Sequence, residues 1–127
     1  MSEKLQSEVE NVTKLTLIKM GVRSDLIGFQ YLTCAVRLVV EEPNLIHNLC
    51  GGLYVRVGQV CNITAIGCVE RSIRHVIENT YINRGFTSLN KMFNTNIYSV
   101  KDKPTADELI NLLAEYYKLG LYKTSSL

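Results

Sequence analysis

Four side chains able to hold or read a nucleic acid, Glu70, Arg71, Arg74 and His75, fall within six consecutive positions. An arginine can donate two hydrogen bonds to guanine O6 and N7, and a glutamate can accept one from cytosine N4. His75 can bond a phosphate or a base edge. On a helix advancing about 100° per residue, Ile66, Val69, Ile73, Val76 and Ile77 fall together on one side, a stripe suited to a core. Gly67, Glu70, Arg71, Arg74, His75 and Glu78 fall on the opposite side. That outward face suits DNA readout. It equally suits plain solvation, because Glu70 and Arg74 stand four apart in the order that favours an intrahelical ion pair.

Other chemistry is poorly provided for. His47 and His75 belong to separate segments without a matched nucleophile and acid. Gly51 and Gly52 lack the following Gly-Lys-Ser/Thr of a phosphate-binding loop. Asp107 and Glu108 read as a solvated helix start whose negative charge suits the helix N-terminus. No enzyme and no cofactor are expected. The four cysteines, Cys34, Cys50, Cys61 and Cys68, contain no CxxC pair, which argues against a zinc finger or redox motif. His47 and Cys50 could form half a metal site, but the second half has no obvious donors, so no metal is expected. Reduced, mostly buried thiols are the simpler reading.

Composition sets the frame for the elements that must position these residues. The 127 residues suit one domain, 1–127, and 46% are hydrophobic, enough to build a core. Only 2 prolines and 8 glycines argue against disorder. Net charge is +2, from 14 basic and 12 acidic residues. Such a balance supports a nucleic-acid partner only if the basic groups cluster on one face. The polar opening, with Glu3, Glu8 and Glu10, lacks the basic start and apolar run of a secretory signal. No stretch approaches the roughly 20 apolar residues of a membrane span, so a cytoplasmic protein with no membrane partner is expected.

Helical periodicity dominates, and an all-α bundle of six to seven helices is expected. The first helix is expected over about residues 8–20, with Val9, Val12, Leu15, Leu17 and Met20 inward and Gly21 as its stop. The second spans about 25–42, with Phe29, Leu32, Val36, Val39 and Val40 as its stripe and Pro43 at its end. A short helix over about 44–50 is broken by Gly51 and Gly52, and another spans about 53–61. A long helix over about 65–83 follows, with Thr64 as N-cap. Thr87 or Ser88 caps a short helix reaching Phe93. Residues 94–102 form a loop with a brief extended piece near 97–100. The last helix opens on a Thr105–Glu108 capping box and buries Leu109, Leu112, Leu113, Tyr116 and Leu119. The pair of helices over about 53–61 and 65–83, joined by a short turn, has the spacing of a helix-turn-helix, whose second helix enters the major groove.

At this point the residues become family-specific. The run from Val69 to Glu78 resembles the recognition helix of the stage-zero sporulation response regulator, which carries V-E-R-A-I-R-H-A-I-E; only Ser72 and Val76 differ. Arg84-Gly85 resembles the family's S-R-G, and Lys103-Pro104-Thr105 its K-P-T before the last helix. Gly21-Val22, Tyr31-Leu32 and Leu53-Tyr54 also match, so the resemblance extends over about residues 15–119. It implies a six-helix effector domain that binds a short operator box in double-stranded DNA, often in tandem copies, and regulates transcription with the sigma subunit of RNA polymerase. By that similarity Glu70 and Arg71 contact bases, and Arg74 and His75 contact phosphate or base nearby; Thr64 at the turn and Gly67 on the outward face are further candidate DNA-binding residues.

Two departures stand out. The family's regulator carries an N-terminal phosphoreceiver domain, whereas here the match starts almost at Met1. A stand-alone paralogue with a 1–14 extension is expected. The family's N-T-T-A-S-R-V turn becomes Asn62-Ile63-Thr64-Ala65-Ile66-Gly67-Cys68-Val69, one residue longer and without the arginine. Its Y-P-x-I-A becomes Tyr54-Val55-Arg56-Val57-Gly58, and a glycine inside a helix costs about 1 kcal/mol relative to alanine. A sequence-specific regulator is the leading expectation, acting on DNA as a homodimer or on tandem sites. The alternative is a protein-interaction module that modulates the full-length regulator or RNA polymerase.

Overall fold

The structure, a computed structural model, describes residues 2–123 and, within them, every side chain but that of Ile66. Six α-helices follow in order: α1 (Glu3–Lys19), α2 (Ile27–Glu41), α3 (Tyr54–Cys61), α4 (Ile66–Ile82), α5 (Ser88–Phe93) and α6 (Ala106–Lys118). No strand is present among the described residues. The all-α expectation therefore holds.

α2 is the axis of the bundle. A helix that is apolar almost all round must be enclosed by others, and every residue from Tyr31 to Val36 is buried. α1, α4 and α6 pack around it. Gly28 sets the distance to α4: a Cβ there would lie 2.2 Å from the Ser72 carbonyl oxygen and 2.6 Å from Val76 Cγ2. The α4 backbone thus rests directly on α2, closer than any side chain allows.

α1 starts five residues before the expected point, because the Ser2 hydroxyl accepts from the Leu5 N–H at 3.3 Å and caps it. Its buried face is also different. Thr13 and Thr16 turn inward, while Leu15 is 53% and Ile18 52% exposed. Threonine is buried cheaply here because each hydroxyl donates to a carbonyl one turn back, Thr13 to Val9 at 2.8 Å and Thr16 to Val12 at 2.7 Å. Thr33 and Thr80 do the same.

The segment after α2 is not one short α-helix. A 3-10 turn (Pro43–His47) leads into a wide π turn (Leu49–Leu53) that runs straight into α3. Gly51 does not break it, because the Asn48 side chain accepts from its N–H at 3.2 Å. The expected extended piece near 97–100 is not a strand. Tyr98 instead bonds a side chain: its N–H donates to Asn90 Oδ1 at 2.9 Å, and Asn90 Nδ2 donates to its carbonyl at 2.7 Å.

α6 begins as expected, with the Thr105 hydroxyl accepting from the Glu108 N–H at 3.4 Å. The reciprocal half of the box is missing, since the Glu108 carboxylate takes the Thr105 hydroxyl rather than its N–H. Ile110 and Ala114 are buried with Leu109, Leu113 and Tyr116, whereas Leu119 is 66% exposed. Only Cys34 of the four thiols is buried; Cys61 and Cys68 are half-buried and Cys50 is exposed, against the expectation of a mostly buried set. Burial pushes the Cys34 thiol up to about 12.

The close approach at Gly28 gives a direct test. Gly28→Ala should destabilise the fold by about 1–3 kcal/mol in urea titration, despite alanine's better helix propensity. A change within about 0.5 kcal/mol, the range of an indifferent surface position, would show that α2 and α4 are not held together there.

Candidate nucleic-acid interface

α3 and α4 form the expected helix-turn-helix. Asn62 ends α3 in the left-handed region at φ 59°, which asparagine tolerates better than most residues. The Asn62 and Ile63 N–H groups both turn back to the Gly58 carbonyl, Ile63 at 2.7 Å. This return folds the lengthened turn onto α3. A Cβ on residue 58 would lie 2.7 Å from the Ile63 carbonyl oxygen. Gly58 is therefore required by the longer turn, and its helix-propensity cost is offset by the contact it permits.

Thr64 is not the N-cap of α4. Ala65 holds the cap position with an extended backbone and no side-chain hydrogen bond, so Thr64 stands one residue too early. Thr64 is exposed beside the turn and lines a groove of about 340 Å³ with Gln59 and Asn62.

The two faces of α4 separate as the periodicity requires. Val69, Ile73, Val76 and Ile77 are buried. Gly67, Arg71, Arg74 and His75 are exposed, and Glu70 and Glu78 half-buried. Arg74 Nη1 donates to Glu70 Oε1 at 3.0 Å. Both partners are solvated, and such pairs contribute about 0–1 kcal/mol, so Arg74 can leave Glu70 for a phosphate or a base at small cost. Arg71 makes no ion pair among the described residues. Its Nη1 lies 3.6 Å from where a Gly67 Cβ would stand, so the guanidinium lies alongside the first turn of α4 and Gly67 gives it room.

Two neighbouring cations were not legible as part of this surface. Lys103, in the loop before α6, reaches Glu78 at 2.5 Å and lies 5.5 Å from the Tyr81 ring centre. Arg56 on α3 pairs with Glu42 at 2.9 Å. Both pairs join segments far apart in sequence, where periodicity gives no signal. His47 and Cys50 do not complete a metal site: no cluster of three or more candidate ligands exists among the described residues.

An all-α bundle with this helix pair, an exposed polar face on its second helix and an apolar opposite face belongs to the helix-turn-helix DNA-binding class. Residues 12–117 of the 127 match the family described as Sporulation initiation factor Spo0A C terminal. The chain belongs to that family. Its members are DNA-binding domains of sporulation transcription factors, not enzymes. No helix among the described residues is long and apolar enough to cross a membrane.

The turn predicts an inverted sign for a familiar substitution. Helix propensity alone gives Gly58→Ala a gain of about 1 kcal/mol. The Ile63 carbonyl contact instead requires a net loss in stability, read by urea or thermal unfolding, and a gain would disprove the contact.

Proposed function

We propose that this chain is a sequence-specific transcription regulator that inserts α4 into the major groove of an operator box. The observation that carries the reading is Arg71: an exposed guanidinium with no carboxylate partner among the described residues, on the outward face of the second helix of a helix-turn-helix. Arg71 reads guanine through two parallel hydrogen bonds, and Glu70, once Arg74 leaves it, accepts from cytosine N4. Arg74 and His75 hold phosphate or a neighbouring base edge. Gly67 lets the backbone approach the duplex, and the Thr64 hydroxyl bonds the phosphate next to the turn. The chain acts in the cytoplasm on double-stranded DNA, as a homodimer or on tandem sites, and touches the sigma subunit of RNA polymerase.

A second reading is favoured by one feature. Arg56, Arg74 and Lys103 are each held by a carboxylate, and Gly67-Cys68 stand where the family carries Ser-Arg. A surface so neutralised also fits a protein partner, such as the full-length regulator or polymerase.

Fluorescence anisotropy separates the two readings. A duplex carrying the family's box should bind well above a scrambled duplex, at two salt concentrations. Arg71→Ala should cost roughly 1–3 kcal/mol and relax preference at one base position. Equal, salt-labile binding to both duplexes would leave only the phosphate contribution and favour the protein-partner reading. Replacing Arg74 by Ala should weaken binding to both duplexes alike and reduce the salt slope by about 1; a box-selective loss would move Arg74 from phosphate to base contact.

A further inference from the structure

At one edge of the outward face, where Glu70 and Arg74 stand, α4 forms one wall of a cleft of about 390 Å³, within the range of small-molecule sites. Its opposite wall is the start of α6 and the loop before it, at Lys103, Pro104 and Ala106. Leu49, Ile77 and the Tyr54 ring give an apolar lining. Tyr54 as a whole is 2% exposed, and no hydrogen bond among the described residues engages its hydroxyl. That hydroxyl is not sealed from solvent, so it is a donor left open to the cleft that Tyr54 lines, a space large enough for a ligand.

The surrounding charges select the ligand. Burial pushes the Tyr54 phenol up to about 12, and Cys50, Glu70 and Asp107 push in the same direction. Tyr54 therefore keeps its proton and is a donor. The Glu70–Arg74 and Glu78–Lys103 pairs both border the cleft and balance in charge. An anionic group at the hydroxyl would face Glu70 and Asp107, so a neutral acceptor is favoured.

We propose that this cleft binds a neutral, mainly apolar small molecule presenting one carbonyl-type acceptor to the Tyr54 hydroxyl, and that its occupancy opposes DNA binding. The second half rests on the DNA-reading role given to Glu70 and Arg74. A ligand filling the cleft packs against both side chains in their paired position, while reading DNA requires them to separate. Linkage makes the opposition mutual: duplex lowers ligand affinity by the factor by which ligand lowers duplex affinity.

The probe is prodan, a neutral naphthyl ketone whose emission shifts to the blue on leaving water, titrated against the whole chain. Saturable one-to-one binding with a blue shift is expected. Tyr54→Phe keeps the ring and should weaken binding about 3- to 10-fold, the worth of one neutral hydrogen bond. Cys50→Trp places an indole at the mouth from an exposed position and should abolish binding, with the helical circular dichroism of both variants retained. Absence of saturable binding, or equal binding by wild type and both variants, overturns the site. Box duplex should reduce prodan affinity; an unchanged affinity with duplex bound overturns the opposition. Failure of the duplex itself to bind would refute the DNA-reading role, while the prodan titration would still decide the site.

Discussion

The contact between Gly28 and the Ser72 carbonyl fixes the geometry on which the rest of the molecule depends. Helices pack at distances set by the side chains between them, and here one side chain is removed altogether. α4 is seated on α2 by its own backbone at Ser72, midway along its length. Val69, Ile73 and Val76 are then driven into the core around that point. The face on the far side of α4 has no freedom to rotate, because turning the helix would lift three buried apolar residues out of the bundle. A face held rigid in this way would lose little entropy on binding a partner.

A second constraint orients α3 against α4. The lengthened turn and the glycine at position 58 form a single change. The family's shorter turn is accompanied by alanine, and here the return of Ile63 onto Gly58 leaves no space for a methyl group. Considered alone, Gly58 looks like a helix defect and the extra residue like a disruption. Together they keep a helix-turn-helix whose second helix begins without a side-chain cap. The cap is lost because Thr64 is displaced by one position, which leaves its hydroxyl exposed beside the turn.

The two faces of α4 were more legible in the sequence than some of their supports. Period alone separated the two faces of α4, since each buried valine or isoleucine has a polar residue opposite. α1 was misread because the expectation treated threonine as polar, whereas Thr13 and Thr16 satisfy their hydroxyls on their own helix and enter the core ahead of Leu15. The segment after α2 was misread because Asn48 bonds the Gly51 N–H and turns a helix breaker into part of a continuous turn. The Lys103–Glu78 contact, and the cleft it borders, depend on two segments 25 residues apart meeting in space. Neither local spacing nor composition carries that information.

The central claim is that α4 meets DNA through the face bearing Arg71. Backbone amide chemical-shift mapping of nitrogen-labelled protein, titrated with box duplex, tests it most directly. The account predicts that the largest shifts cluster at residues 62–75, covering the turn and the first half of α4, with α1 and α6 little changed. Shifts concentrated on the exposed side of α1 or along α6, with the α4 amides unmoved, would contradict it.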